Sequence, residues 1–303
     1  MNKFSKYAWF VAWYNIAVIL WGAVVRATGS GAGCGNHWPK CNGQVLPQIG
    51  QLETAIEFTH RISSALSGIL VIILVAWAFR KFQKGSAVRV WSVIAFILIF
   101  IEGWVGMVLV RGELVAANQS SERALVVALH LINTMLLLAS LVITAWISNQ
   151  EKNIQWQDYS KIHAFILVGI IATLLFNAAG AVTALGDTLF PPESLIEGLR
   201  QDIDPASNFL IQLRVLHPVL AAITCFYLIR VMIYLRNLSI GIKVERLFII
   251  MFWLIGVQAA AGIINLLLLA PLFMQITHLF LANLFWLVLI LIAINILTKP
   301  ATE

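Results

Sequence analysis

The sequence predicts an all-α polytopic membrane protein whose eight transmembrane helices form two tandem, pseudo-symmetric four-helix bundles, 1–150 and 151–303. Three observations support this fold class. Hydrophobic residues make up 60% of the 303 residues and charged residues only 11%, whereas soluble domains average about half apolar and about a quarter charged. Apolar runs long enough to cross about 30 Å of hydrocarbon recur along the chain. The two halves also repeat the same order of motifs.

Each apolar run is predicted to be a helix, because backbone groups in hydrocarbon must bond within their own segment. Residues 1–26 resemble a signal peptide only superficially, since the run is long and no clear small-residue cleavage site follows it. They are therefore assigned to the first helix. The eight helices are expected at about 7–26, 57–79, 88–110, 122–147, 160–184, 208–235, 245–270 and 272–297.

The positive charges are sorted by side of the membrane. With the N-terminus inside, thirteen of twenty basic residues fall on short cytoplasmic segments, and ten of fourteen acidic residues fall on the outer side. The positive-inside rule therefore places both termini in the cytoplasm of a multi-pass protein of the plasma or inner membrane. This sorting explains the net charge of +6, so no nucleic-acid partner is expected and the lipid bilayer is the expected surroundings.

The repeat is weak but in register. A Gly-Ala-Val-Val motif starting at Gly22 lies 38 residues before His60, and a Gly-Ala-Val-Thr motif starting at Gly180 lies 37 residues before His217. Each glycine motif is expected to end the odd-numbered helix that carries it. Both halves start on the same side and contain an even number of spans, so the repeats are parallel.

The later helices of each half match as well. Glu102-Gly-Trp-Val-Gly106 in the third helix corresponds to Gln258-Ala-Ala-Ala-Gly262 in the seventh. His130 and His278 then follow in the fourth and eighth helices. Glu102 is expected either to line a channel or to hydrogen-bond between helices.

Four histidines therefore stand in four apolar segments at repeat-equivalent positions. They are the first-half histidines, His60 and His130, and the second-half histidines, His217 and His278. A histidine inside a membrane span is costly and marks function by default. All four fall in the outer part of the membrane, which predicts axial ligation of two heme irons inside the bundles. The alternative is four core histidines that only form hydrogen bonds.

The residue three positions before the first histidine differs between the halves: Glu57 precedes His60, and Arg214 precedes His217. Residues i and i+3 share a helix face, so Glu57 is predicted to face the ligand of His60 and to exchange protons with it. The alternative is a solvated carboxylate at a helix start. Arg214 is predicted to pair with a heme propionate.

The remaining candidate residues lie mostly in the first outer loop. Cys34 and Cys41 stand in an oxidising location and can close as a disulfide, although a metal site with His37 and a reduced pair are alternatives. His37 and His163 are expected to be surface or interfacial residues. Cys225, in the sixth helix, is expected to be a small buried apolar residue.

Two segments of the chain resemble a known family. The loop Arg26-Ala-Thr-Gly-Ser-Gly-Ala-Gly-Cys34-Gly-Asn-His-Trp-Pro-Lys-Cys41 and the segment Glu57-Phe-Thr-His60-Arg61 are similar to motifs of the heme A synthases. The resemblance covers essentially the whole chain. It implies an oxidoreductase acting on a CH or CH2 group, which oxidises the C8 methyl of heme O through a hydroxymethyl to the formyl of heme A. Water is the implied oxygen source, and terminal (cytochrome) oxidase biogenesis the implied purpose.

The resemblance also implies roles for residues. The first-half histidines would bracket the iron of the substrate, heme O, with Glu57 beside it, and the second-half histidines would hold a resident heme b. The outer-loop cysteines would form a disulfide. Arg26 and Arg61, like Arg214, are candidate propionate partners or neighbours of the ligands. Some bacterial relatives carry a second cysteine pair between the fifth and sixth helices, but 185–207 has none here, so no relay between two pairs is implied.

The implied partners are heme O, heme A, heme O synthase, terminal oxidase assembly factors and an electron acceptor that the sequence does not identify. The sequence does not decide whether the chain forms a homo-oligomer. Two other functions fit a di-heme membrane protein: a quinone-linked cytochrome that only carries electrons, and a heme-delivery protein without turnover. For the electron-carrying cytochrome, Glu57 should be dispensable.

Overall fold

The structure is a computed structural model that describes residues 1–48, 50–150, 154–156, 160–236 and 242–300. Eight helices in these ranges are long and apolar enough to cross a membrane, which confirms the predicted number of spans. The helices are α1 (Lys3–Ala27), α2 (Leu52–Lys81), α3 (Ala87–Arg111), α4 (Ser121–Ile147), α5 (Ser160–Leu189), α6 (Leu195–Ile203), α7 (Phe209–Gln212), α8 (Leu216–Arg236), α9 (Ile242–Leu267) and α10 (Leu272–Leu297).

The largest differences from the predicted boundaries are found at three places. Helix α2 begins five residues before the expected start, because its first, partly polar turn projects beyond the apolar run. Helix α5 does not end at the Gly180 motif but continues to Leu189. The expected loop 185–207 contains α6, a short amphipathic helix, and α7 runs through the 3-10 turn Leu213–Val215 into α8 to make one span.

Polar side chains begin several of these helices. Asn2, Ser86 and Ser120 each accept a hydrogen bond from the backbone N–H three residues later. Such caps satisfy donors that have no partner within the helix. Asn2 also accepts from Lys81 Nζ at 3.1 Å and donates to the Ser148 carbonyl, so the start of α1 meets the ends of α2 and α4 on one side. Lys152, one of the thirteen basic residues predicted on the cytoplasmic side, lies outside the described residues.

The helices pack as two rings of four. In the first half α1 contacts α2, α2 contacts α3, α3 contacts α4, and α4 returns to α1. In the second half α5 contacts α8, α8 contacts α9, α9 contacts α10, and α10 returns to α5. This arrangement is consistent with the predicted tandem bundles. It places α2 diagonally opposite α4, and α8 diagonally opposite α10.

The two rings join through their inner helices. Helix α4 contacts α5 and α10, and α1 contacts α10 and α5. At the centre the Trp286 indole N–H of α10 donates to the Met135 carbonyl of α4 at 2.7 Å, and both side chains are buried. A short antiparallel pair of strands, β1 (Ile154–Trp156) and β2 (Thr298–Pro300), connects the chain after α4 with the chain after α10.

Candidate functional site

One large cavity lies inside the helices and is lined by all four predicted histidines. Its volume is about 1710 Å³, and its walls are mostly apolar, with a few charged groups at the outer end. Pockets for single small ligands usually measure about 300–1,000 Å³. The cavity is therefore large enough for more than one ligand of that class.

The second-half histidines face each other across this cavity. His217 comes from α8 and His278 from α10, and their ring centroids are 6.2 Å apart with planes nearly perpendicular. Two imidazole nitrogens on opposite sides of one metal, each bonded at about 2 Å as in zinc sites, put the ring centroids about 6 Å apart. The His217 Nδ1 atom lies 2.9 Å from the Phe176 carbonyl, which holds Nδ1–H and leaves Nε2 for a metal.

Glycines of the repeated motifs make room for three of the imidazoles. A Cβ atom at Gly22 would lie 3.0 Å from His60, one at Gly180 would lie 2.8 Å from His217, and one at Gly262 would lie 3.1 Å from His278. These distances are too short for an ordinary contact. The glycine motifs therefore form the wall against which the histidine rings pack, which gives the sequence repeat a physical reason.

The first-half histidines also line the cavity, from the diagonal helices α2 and α4. The Nδ1 atoms of His60, His130 and His278 are buried without a hydrogen-bond partner. No group of three or more His, Cys, Asp or Glu side chains suited to a metal occurs in the described ranges. Pairs of imidazoles with free nitrogens fit a metal whose other ligands come from a macrocycle, as in heme.

The predicted catalytic residue Glu57 is buried and bonded. Its Oε2 accepts the backbone N–H of Cys34 at 2.7 Å, and its Oε1 accepts two hydrogen bonds from Arg61, one turn later on α2. Only 3% of Glu57 is exposed, so the alternative of a solvated carboxylate is wrong. Glu57 nevertheless borders the cavity.

Arg61 extends this contact to the rest of the outer loop. Its guanidinium also donates to the carbonyls of His37 and Lys40 at 2.6 and 2.8 Å. Cys34 and Cys41 form a disulfide within the same loop, with their Cα atoms 4.4 Å apart, as predicted. Glu57 and Arg61 therefore fasten the disulfide loop to α2.

Arg214 has partners that the sequence did not indicate. Its side chain is 7% exposed and forms ion pairs with Asp187 of α5 at 3.0 Å and with Asp202 of α6 at 3.6 Å. It also donates to the carbonyls of Gly186 and Phe190. Burial raises the pKa of the Asp202 carboxyl, and the adjacent Arg214 opposes that rise. The charge of Arg214 is thus already balanced by carboxylates of the chain itself.

Two other cavity-lining arginines bond only to neutral groups. Arg26 donates to the Ala184 carbonyl, the Thr188 hydroxyl and the Gln275 amide oxygen, and so connects the two rings. Arg123, which the sequence analysis did not single out, is 5% exposed, donates to two backbone carbonyls and has a buried Nε atom without a partner. It precedes His130 by seven residues, two helical turns, and this spacing was the only signal available in the sequence.

The remaining candidate residues of the sequence are Glu102, His37, His163 and Cys225. Glu102 of α3 both lines the cavity and bonds to α4, so both of its expected roles hold. His37 is exposed, and His163 is half-buried near the start of α5. Neither of them borders the cavity. Cys225 is a half-buried free cysteine of α8.

The fold and the site define a class: a multi-pass membrane protein in which two pairs of histidines on diagonal helices face one internal cavity. The family model described as Cytochrome oxidase assembly protein matches residues 5–54 and 48–290. A protein named Heme A synthase from Exiguobacterium sibiricum is 30% identical over 231 residues, covering 75% of this chain and 73% of its own length. The chain belongs to the heme A synthase family.

Other relatives match over different lengths. A Heme A synthase from Shouchella clausii is 36% identical over 142 residues, which is 47% of this chain and 44% of that protein. A protein named Protoheme IX farnesyltransferase from Thermus thermophilus is 42% identical over 300 residues, covering 99% of this chain and 49% of that protein. The chain thus spans about half the length of this relative.

Proposed function

We propose that the chain is a heme A synthase that oxidises the C8 methyl of heme O, through a hydroxymethyl intermediate, to the formyl group of heme A. Water supplies the oxygen, and the product serves terminal oxidase biogenesis in a cell membrane. The observation that carries the proposal is the pair of diagonal histidine sites in one cavity, in a chain of this family.

The two sites take different roles. The first-half histidines position heme O as substrate, and the second-half histidines hold heme b, which supplies one-electron chemistry when bound. The close approach of the second-half rings and the Phe176 contact support a permanently held group there. Arg123 and Arg26, whose hydrogen bonds go only to neutral groups, are the cations available to heme propionates.

Glu57 is the proton acceptor of the reaction. Oxidation of a methyl group with water releases protons and electrons; the electrons would leave through heme b to an external acceptor, and a positioned base for the protons typically contributes about 10²–10⁴-fold in rate. The Glu57 carboxylate borders the cavity, and its contacts to Cys34 and Arg61 fix its orientation. Its repeat counterpart, Arg214, cannot accept a proton.

Farnesyl transfer, the activity in the name of the Thermus thermophilus relative, is not extended to this chain. The chain covers only 49% of that relative's length, so the name of the whole protein does not assign an activity to the half that matches.

The test is analysis of extracted hemes from cells that make heme O, with and without this chain. Formyl-bearing heme is expected only when the chain is present, and the His60→Ala variant should form none. If the chain binds heme but no formyl heme appears, it is an electron-carrying cytochrome or a delivery protein. A tag at each terminus, tested for accessibility from the periplasmic or outer side, checks the proposed cytoplasmic termini.

A further inference from the structure

A polar cluster between α3 and α4 stands beside one of the first-half histidines. The Glu102 carboxylate accepts hydrogen bonds from Asn133 Nδ2 at 2.6 Å and from the Thr134 hydroxyl, and its Oε1 atom lies 3.4 Å from His130 Nδ1. Asn133 also donates to the Leu98 carbonyl. Glu102 is thus fixed by two donors and turned towards the buried Nδ1 atom, which has no hydrogen-bond partner.

The equivalent position of the second half holds a neutral side chain. Gln258 of α9 places its amide nitrogen 3.3 Å from His278 Nε2 and 3.3 Å from the His278 carbonyl. In each half, therefore, a residue of the third helix contacts the histidine of the fourth. The contact carries a carboxylate in the first half and an uncharged amide in the second.

We propose that Glu102 is a positioning residue that holds the Nδ1–H of His130 and makes this histidine a more strongly donating axial ligand than His278. This inference rests on the proposed heme sites. A carboxylate that accepts the second N–H of a ligating imidazole fixes the ring and raises its basicity as a ligand. Greater basicity stabilises ferric over ferrous iron, so the first-half iron has the lower reduction potential.

The magnitude follows from the usual effect of such partners. Loss of a partner behind a metal-bound histidine typically changes metal affinity by about 10–100-fold. If Glu102→Gln changes the ratio of ferric to ferrous affinity by about tenfold, the midpoint potential rises by about 59 mV for a one-electron couple.

The experiment is a spectroscopic redox titration of the purified full chain in detergent, loaded with iron protoporphyrin IX. The parent, Glu102→Gln and Glu102→Asp are compared at equal heme content. The expected result is two midpoint potentials in the parent, the lower of which rises in Glu102→Gln and stays near the parent value in Glu102→Asp, with the low-spin spectra retained.

An unchanged potential in Glu102→Gln at full heme content overturns the inference. If Glu102→Gln loses its heme or fails to fold, the parent decides, because two hemes with the same midpoint potential there overturn the inference equally. Heme A formation is measured separately on the parent. A chain that binds both hemes and forms no heme A contradicts the proposed function, yet still allows this test of Glu102.

Discussion

Substitution of Gly180 by alanine should weaken heme binding at the second-half site. The added Cβ would stand 2.8 Å from His217 Cε1 and 3.0 Å from Nδ1, and the same Nδ1 edge of the ring is held by the Phe176 carbonyl, one turn earlier on α5. The ring can yield only by moving away from α5, which displaces Nε2 and stretches that hydrogen bond. Alanine itself favours a helix by about 1 kcal/mol over glycine, so helix stability is not the cause.

The size of the effect follows from the overlap. Ordinary contacts of a Cβ begin at 3.4 Å, so the distance of 2.8 Å requires a shift of about 0.6 Å (3.4 − 2.8). Metal–ligand distances tolerate about ±0.2 Å. A displaced ligand or a lost partner typically costs about 10–100-fold in metal affinity. That loss corresponds to about 1.4–2.8 kcal/mol, within the range for inserting a methyl group into a packed interior.

The assay is titration of the purified chain with iron protoporphyrin IX, followed by the low-spin absorption band. Gly256→Ala is the matched control, because it changes a glycine of the second-half helix α9 that does not border the cavity and where a Cβ would meet nothing within 4 Å. Heme affinity should fall in Gly180→Ala and stay at the parent value in Gly256→Ala. Equal affinities in the two variants would refute the packing argument.

The remaining predictions concern individual side chains. His217→Ala should lose the low-spin heme spectrum, and an unchanged heme content would remove this residue from the ligand set. Thiol labelling should find Cys34 and Cys41 blocked until reductant is added; free thiols in the native protein contradict the disulfide. Glu57→Gln should retain heme b and nearly abolish heme A formation, whereas turnover at the parent rate would exclude it as the base. Arg123→Gln should weaken heme O binding by about tenfold or more, because it removes one charge-assisted hydrogen bond of about 1.5–3 kcal/mol. Equal binding would exclude a propionate contact.

The spans and the histidine positions could be predicted from the sequence, because the length of an apolar run and the repeat of a rare intramembrane residue are local signals. The partners of Glu57 could not. Spacing gives the face of a helix, but the Cys34 N–H that reaches Glu57 comes from a loop 23 residues away. The ion pair between Arg214 and Asp187 likewise depends on how α5 extends past its glycine motif.

Arg123 and α6 were missed for other reasons. An arginine at the start of a span looks like an ordinary interfacial cation, and only the ring packing shows that it is buried beside the cavity. Helix α6 is nine residues long, shorter than any span, but it had a local signal: Ser194 accepts from the Glu197 N–H, and Ser-x-x-Glu is a pattern that begins helices. The burial of Arg123 depends on tertiary contacts, whereas α6 could have been predicted from its own segment.

The shared cavity has an electrical consequence. Both histidine pairs border the same continuous space, so a ligand that fills one part of it expels water that would otherwise screen the other part. Interactions between charges grow severalfold when the effective dielectric constant falls from that of water to that of a protein interior. The reduction potential of each iron should therefore depend on the oxidation state of the other. The measured midpoint potentials would then be properties of the pair, as the apparent pKa values of two coupled acids are.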